Sequence, residues 1–346
     1  MIRSFKSPSV SLHYLNIISN TLARMGHPNV DILTYTDGYS EDDFYFNRVS
    51  VEVLFGIWQQ AEKISGDPLI GLHVGERIHP MDYGLLGQLM MNCETLKEAL
   101  TRILSVEFIL NNAFVSQVII ENKKAINRIF VHQYDAEQAR HVVEQDIAAL
   151  INIGVFIMNR DYTDENSPIE VHFRHSAHGP LSEYERTLRC RVKFNQAFNQ
   201  VIYPETILET RTYSPSPRIA TLIQGELQSL LDRIEAQDSI TTKLWRFFQI
   251  QQSEINTDID KVAKHFSMTT RTLQRHLKSE GTSFNEEVRR HKITLARNLL
   301  NSNGYNIAQV AEKLGFNDSG SFYKAFKRWT GMTPRSYMLK KDSAED

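Results

Sequence analysis

The sequence predicts an α+β N-terminal domain followed by an all-α C-terminal domain in which two helix-turn-helix units are joined by a long helix. Three observations predict it. The first two hundred or so residues mix strand-like alternation with runs of helical period. The last ninety or so contain an internal repeat of amphipathic helical hairpins. Positive charge is gathered in that second region. Residues 259–341 hold 16 Lys and Arg against 6 Asp and Glu, a net of +10, while the rest holds 23 against 35, a net of −12. A near-neutral chain made of an acidic body and a basic module suggests that the module meets a polyanion, although small helical domains are often basic for no such reason.

A chain of 346 residues exceeds one ordinary core and accommodates two. A composition of 41% hydrophobic and 23% charged residues is globular. Met1–Ser11 lacks a continuous apolar core, so no signal peptide is expected, and no run of eighteen apolar residues predicts a membrane span. Cys93 and Cys190 have no Cys or His at metal-ligand spacing, and two free buried thiols in a reducing cytoplasm are expected rather than a disulfide.

Along the chain, apolar spacing predicts helices over Ser11–Met25, Arg48–Ser65 and Leu96–Asn111. Val115–Glu121 and Asn127–His132 read as strands with Glu121-Asn122-Lys123-Lys124 turning between them. Ala136–Met158 reads as a long helix and Ile169–Phe173 as another strand, while Gly66-Asp67-Pro68 and Gly179-Pro180 mark loops. Ser214-Pro215-Ser216-Pro217 breaks the pattern, a helix from Arg218 to about Ala236 follows, and the polar run Gln249–Asn256 suggests a boundary. The expected organisation is a domain over 1–210, a helical linker over 211–253 and a basic domain over 254–346.

The basic domain repeats itself. Ile259-x-x-Val262-Ala263-x-x-Phe266-x-Met268 returns 48 residues later as Ile307-x-x-Val310-Ala311-x-x-Leu314-x-Phe316, and Leu273-x-x-x-Leu277 is matched by Phe322-x-x-x-Phe326. Each copy predicts a short amphipathic helix, a turn and a second amphipathic helix. The turns, Ser267-Met268-Thr269-Thr270 and Gly315-Phe316-Asn317-Asp318, offer side-chain oxygens that cap the second helix. Ala263 and Ala311 suit a close helix crossing. Between the copies, Phe284 to about Asn301 predicts one helix, opened by a Ser283-x-x-Glu286 capping box and closed at Ser302-Asn303-Gly304.

A second helix that enters a major groove needs a polar, basic outer face. In copy one that face carries Arg271, Gln274, Arg275 and Lys278. Arg satisfies both acceptors of guanine and Gln the donor and acceptor of adenine. In copy two it carries Ser319, Ser321, Tyr323, Lys324, Lys327 and Arg328. Base reading is therefore expected of Arg271, Gln274 and Arg275, and more weakly of Ser321, Tyr323 and Lys324. Phosphate contact is expected of Lys278, Ser283, Arg289, Arg290, Lys327 and Arg328, with Lys292 and Arg297 as further backbone candidates. The competing reading is a pair of ordinary hairpins with solvated faces; two copies at fixed spacing in a +10 segment oppose it.

The run Leu273-Gln274-Arg275-x-Leu277-x-x-Glu280-Gly281, Ala296-Arg297-x-Leu299-Leu300 and Ile307-Ala308-x-Val310-Ala311-x-x-Leu314-Gly315-Phe316 resembles the AraC/XylS family of bacterial regulators, and Ser321-Phe322-x-x-Ala325-Phe326-Lys327-Arg328-Trp329-x-Gly331-Met332-Thr333-Pro334-x-x-Tyr337 continues the likeness. Gly320-Ser321 and Tyr323-Lys324 depart from many members, so no operator sequence carries over. The resemblance implies transcription control, two helices of one monomer in successive major grooves, and contact with RNA polymerase. Upstream, Ser65-Gly66-Asp67-Pro68-x-x-Gly71-Leu72, Tyr83-Gly84-Leu85-Leu86-Gly87, Thr95-Leu96-x-Glu98-Ala99 and Val171-x-Phe173-Arg174-His175 are similar to the subgroup whose N-terminal domain is labelled arabinose-binding, and Tyr184-Glu185 and Val192-Lys193-Phe194 continue that likeness. That implies an effector-sensing or dimerising domain, hence a small-molecule effector and a homodimer, without establishing arabinose as the ligand.

Tyr83, Met90 and Met91 are the candidate effector-pocket residues, with plain core packing as the alternative. His172-x-x-His175-x-x-His178 is spaced by three, which does not stack on a strand, and Pro180 implies a loop, so no metal is expected. No phosphate-cradling glycine loop, zincin His pair or nucleophile elbow is present, so neither a cofactor nor an enzyme is expected. A regulator controlled only by its abundance, and an enzyme with a DNA-binding tail, stand as the rival readings.

Overall fold

The computed structural model describes residues 8–30, 44–131, 134–159, 166–236, 239–250, 258–300 and 305–342. The chain divides into two compact units, residues 1–194 with 199–237 and residues 195–198 with 238–346.

The first unit is α+β. Strand β1 (Ser9–Ser11) leads straight into α1 (Leu12–Arg24), whose start is fixed by the Ser11 side chain accepting from the Tyr14 amide. β2 (Arg48–Ser50) pairs antiparallel with β1 and passes into α2 (Val51–Ser65), which ends on Gly66 at a positive φ of 67°. Arg48–Ser65 is thus a strand and a helix rather than one helix. α3 (Ile70–Arg77) crosses the long helix α6 (Arg140–Met158) closely, because a Cβ on Gly71 or Gly75 would run into the α6 backbone at His141 and Gln145. α4 (Leu85–Asn92) and α5 (Leu96–Val106) follow. α5 stops short of the expected Asn111, whose side-chain oxygen accepts the amides of Ala113 and Phe114 and turns the chain into a strand.

Strands β3 (Phe114–Glu121) and β4 (Lys124–Val131) form the expected hairpin, with Asn122 and Lys123 both at positive φ in a two-residue turn. His132, the expected end of the second strand, lies outside the described residues. β5 (Glu170–His172), helix α7 (Leu181–Leu188), β6 (Arg191–Lys193) and β7 (Asn199–Pro204) complete a five-stranded sheet of order β3-β4-β7-β5-β6. All its pairs are antiparallel except β5 with β6. α8 (Pro217–Glu235) starts at proline, which needs no amide partner there, and closes the unit against α4 and α5.

α6 is 19 residues long with a mean hydropathy of 1.4, long and apolar enough to cross a membrane, but 72% of that stretch is buried inside the protein. It also carries Arg140, His141, Glu144 and Gln145 into the interior, where Tyr184 donates to Glu144 at 2.6 Å and Arg140 to Glu62 at 2.7 Å. Both facts make it a core helix.

The second unit is all-α: α9 (Ile240–Ile250), α10 (Ile259–His265), α11 (Thr270–Ser279), α12 (Phe284–Leu300), α13 (Ile307–Lys313), α14 (Ser319–Thr330) and α15 (Pro334–Asp342). Of the segment expected to link two domains, α8 therefore falls in the first unit and α9 in the second. α9 sets Ile240, Leu244, Phe247 and Phe248 among Val262, Leu273 and Leu277 of copy one and Phe284 at the start of α12. The Glu280 carboxylate accepts the Ile240 and Thr241 amides at 2.7 and 3.0 Å, so copy one also caps the helix that completes its core. The expected close of α12 at Ser302-Asn303-Gly304 lies outside the described residues.

Candidate nucleic-acid interface and the cavity of the first unit

The two hairpins repeat bond for bond. Met268 donates to the Ala263 carbonyl and Phe316 to the Ala311 carbonyl, both at 2.9 Å; Ser267 donates to Lys264 and Gly315 to Glu312 at 3.0 and 2.9 Å. Ala263 and Ala311 are buried at the two crossings. Thr269 caps α11 by accepting the Thr272 amide, and Asp318 caps α14 by accepting the Ser321 amide. α13 has a full capping box, Asn306 with Gln309, whereas α12 has half of the expected one. Ser283 accepts the Glu286 amide, but the Glu286 carboxylate takes Arg289 instead.

The matched turn positions differ in one respect. Ser267 sits at φ 54° and its counterpart Gly315 at φ 72°, so copy one holds an L residue where the turn demands left-handed backbone. That costs ~1–2 kcal/mol, against ~0.4–1 kcal/mol of unfolded-chain entropy that a glycine adds. Ser267→Gly is therefore expected to stabilise the protein by roughly 0.5–1 kcal/mol. Urea unfolding checks it, and a midpoint that falls instead refutes the argument.

Leu273 and Leu277 turn α11 inward, which leaves Arg271, Gln274, Arg275 and Lys278 exposed together on its outer face. His276, which the sequence reading passed over, is exposed beside them. On α14, Phe322, Ala325 and Phe326 are buried and Ser321, Lys324, Lys327 and Arg328 are exposed, with Tyr323 half-buried. The Ser321 hydroxyl donates to Asp318 at 2.6 Å, so it serves the helix start before it serves anything else. On α12, Arg289 and Arg290 are exposed but lie 3.3 and 2.7 Å from Glu286 and Glu287. The exposed Arg289 pair is worth ~0–1 kcal/mol, little to give up for a phosphate, whereas Arg290 pairs with a buried carboxylate that also accepts from Thr282. Lys292 points elsewhere: it lies over the Phe316 ring at 5.2 Å, and burial lowers its pKa. That contact joins α12 to the second hairpin.

The first unit holds two adjoining, partly open chambers, of about 100 and 140 Å³, between α6, α5 and the inner face of the sheet. Met90, Leu100, Ile103, Asn127, Leu150 and Ile153 belong to the walls of both. Tyr83 and Met90 line the larger chamber, while Met91 is in neither wall. Asn127, Asp146 and the α5 and α6 side chains went unnoticed in the sequence, although a lone amide on the buried face of a Val- and Ile-rich hairpin was a signal. Asp146 accepts from the Tyr14 hydroxyl at 3.0 Å, and burial pushes its carboxyl up to about 7.

The three spaced histidines go to separate partners: His172 to Glu170 at 2.9 Å, His175 to the Ser176 carbonyl at 2.7 Å and His178 to Glu137 at 2.6 Å. Cys93 and Cys190 are free thiols, pushed up to about 11 and about 12 by burial.

Comparison with known proteins finds two family models on the chain. One, described as the arabinose-binding domain of AraC transcription regulator, N-term, matches residues 42–212. The other, described as a helix-turn-helix domain, matches residues 262–340. The ornithine utilization regulator of Pseudomonas aeruginosa is 24% identical over 277 residues, 80% of each chain. An uncharacterized HTH-type transcriptional regulator of Mycobacterium tuberculosis is 28% identical over 323 residues, 90% of this chain and 91% of that one. Among solved structures, the transcriptional regulator CdpR from Pseudomonas aeruginosa aligns over 94% of this chain and 98% of its own, with a TM-score of 0.46 and 21% identity.

Proposed function

This chain is a sequence-specific DNA-binding transcriptional regulator of the AraC type, and from that premise we propose that one copy sets α11 and α14 into successive major grooves of a single duplex. The observation that carries the reading is the matched pair of hairpins with cationic outer faces on either side of α12. Its 17 residues span ~26 Å at 1.5 Å each, on the scale of the ~34 Å turn of the double helix. Arg271, Gln274 and Arg275 read base edges, and Ser321, Tyr323 and Lys324 read them less sharply. Lys278, the start of α12 at Ser283, Arg289, Arg290, Lys327 and Arg328 hold the phosphates. The chambers of the first unit take a small, partly apolar effector whose binding alters transcription in the bacterial cytoplasm. The chain acts as a homodimer and meets RNA polymerase at the promoter. Its family and relatives are regulators, not enzymes.

The two kinds of basic residue are expected to fail differently. Arg275→Ala removes a bidentate base contact and costs ~1–3 kcal/mol on the cognate duplex, relaxing preference at one base position. Arg328→Ala weakens cognate and scrambled duplexes alike and lowers the salt slope by about one contact. Titration of both variants on both duplexes at two salt concentrations checks this. Equal fractional losses everywhere would mean that base reading and phosphate anchoring are not divided as proposed.

A further inference from the structure

We propose that the effector is an organic cation, an amine on an apolar body, held with its ammonium between Asn127 and Asp146. The inference rests on reading the chambers as an effector site and deepens it. The smaller chamber is walled by apolar side chains except for Asn127 and Tyr203. Its apolar walls suit the hydrocarbon part of a ligand, since burying apolar surface there removes it from water. Asn127 stands in the wall common to both chambers, 6% exposed, and its Oδ1 has no hydrogen-bond partner among the described residues. A buried acceptor left unmet costs ~1–3 kcal/mol, which a donor on a ligand would recover.

The larger chamber adds two carboxylates, Asp146 and Glu107, and none of its described lining residues is Lys, Arg or His. Several of its polar groups are already engaged: Asn111 accepts two backbone amides, Glu107 accepts the Ser116 amide at 3.1 Å, and the Tyr14 hydroxyl lies 2.6 Å from Gln145 Oε1 and 3.0 Å from Asp146 Oδ1. What this wall lacks is positive charge. A carboxylate or phosphate ligand would find no counter-ion among these residues. A pentose would bring several hydroxyls into a smaller chamber with two polar side chains, so that chamber does not suit a sugar. An ammonium supplies both the donors that Asn127 lacks and the charge that Asp146 lacks.

The test uses the full chain and four probes of one size range: 2-phenylethylamine, 2-phenylethanol, phenylacetate and L-arabinose, measured by calorimetry and thermal shift. The amine is expected to bind at least tenfold tighter than the alcohol, with no detectable binding of phenylacetate or arabinose. Asp146→Asn, which keeps an acceptor for Tyr14, is expected to bring the amine within threefold of the alcohol. Asn127→Leu is expected to weaken the amine at least threefold. Equal binding of amine and alcohol, blocked by the chamber-filling Ala99→Phe, would overturn the cationic class and leave the effector site standing. Tighter binding of phenylacetate or arabinose would do the same. Binding of none of the four at millimolar concentration would overturn both readings.

Discussion

A fragment of residues 238–346 is expected to fold and bind DNA, while one that begins at residue 254 is expected to lose the first hairpin. The difference is α9. Ile240, Leu244, Phe247 and Phe248 are buried in the core that also holds Leu273, Leu277 and Phe284. Burying a Leu, Ile or Phe side chain is worth ~1.5–3 kcal/mol, so the four together represent roughly 6–12 kcal/mol. That is comparable to the whole stability of a domain this size, ~5–15 kcal/mol. The shorter fragment would also expose the inner face of α11 to water and leave the Glu280 carboxylate without the Ile240 and Thr241 amides. Far-UV circular dichroism and urea unfolding of the two fragments check the expectation, with DNA titration beside them. A cooperative transition of equal midpoint in both would show that α9 is dispensable to the basic domain.

The same helix shows where sequence reasoning reached its limit. Residues 240, 244, 247 and 248 follow the spacing of one helical face, yet the polar run 249–256 after them is the stronger break in the pattern and suggests a later boundary. A face says that something is buried but not against what. The hairpins themselves were legible because their packing is local: each buried Ala meets its partner helix within ten or so residues. Short strands were not. β1 and β2 hold three residues each and depend on partners distant in sequence, so Arg48–Ser50 read as the start of a helix. The end of α5 escaped for a related reason, since Asn111 stops it with its own side chain.

The two sites differ in the same way. Arg271, Gln274 and Arg275 share a helix face, and a face follows from spacing alone. The cavity is assembled from residues as distant as Tyr14, Met90, Asn127 and Asp146, which only the tertiary fold brings to one wall. Tyr83 and Met90 could be named from their neighbourhood, but Met91, one residue on, points out of it because the helix turns by a quarter or so at each step.

Leu273→Ala and Phe322→Ala are expected to abolish binding by unfolding the basic domain rather than by altering what it reads. Both side chains are fully buried, each beside an exposed residue proposed to touch DNA. Leu273 sits in the core completed by α9. The Phe322 ring meets Phe316 and Phe326 at tilted angles, both with centroids 5.6 Å apart, and Phe326 in turn meets Tyr337 edge-on at 5.6 Å. Truncating a buried Leu to Ala costs ~2–5 kcal/mol and a buried Phe ~3–5 kcal/mol, because the vacated space does not collapse fully. Against ~5–15 kcal/mol of total stability, either loss is a large share. Each variant should show a lowered unfolding midpoint and the same fractional loss on cognate and scrambled duplexes. Arg275→Ala should keep the midpoint and lose the cognate duplex selectively. The decisive comparison is Phe322→Ala. If its midpoint stays at the parent value while its base preference changes, α14 presents the opposite face to DNA from the one proposed.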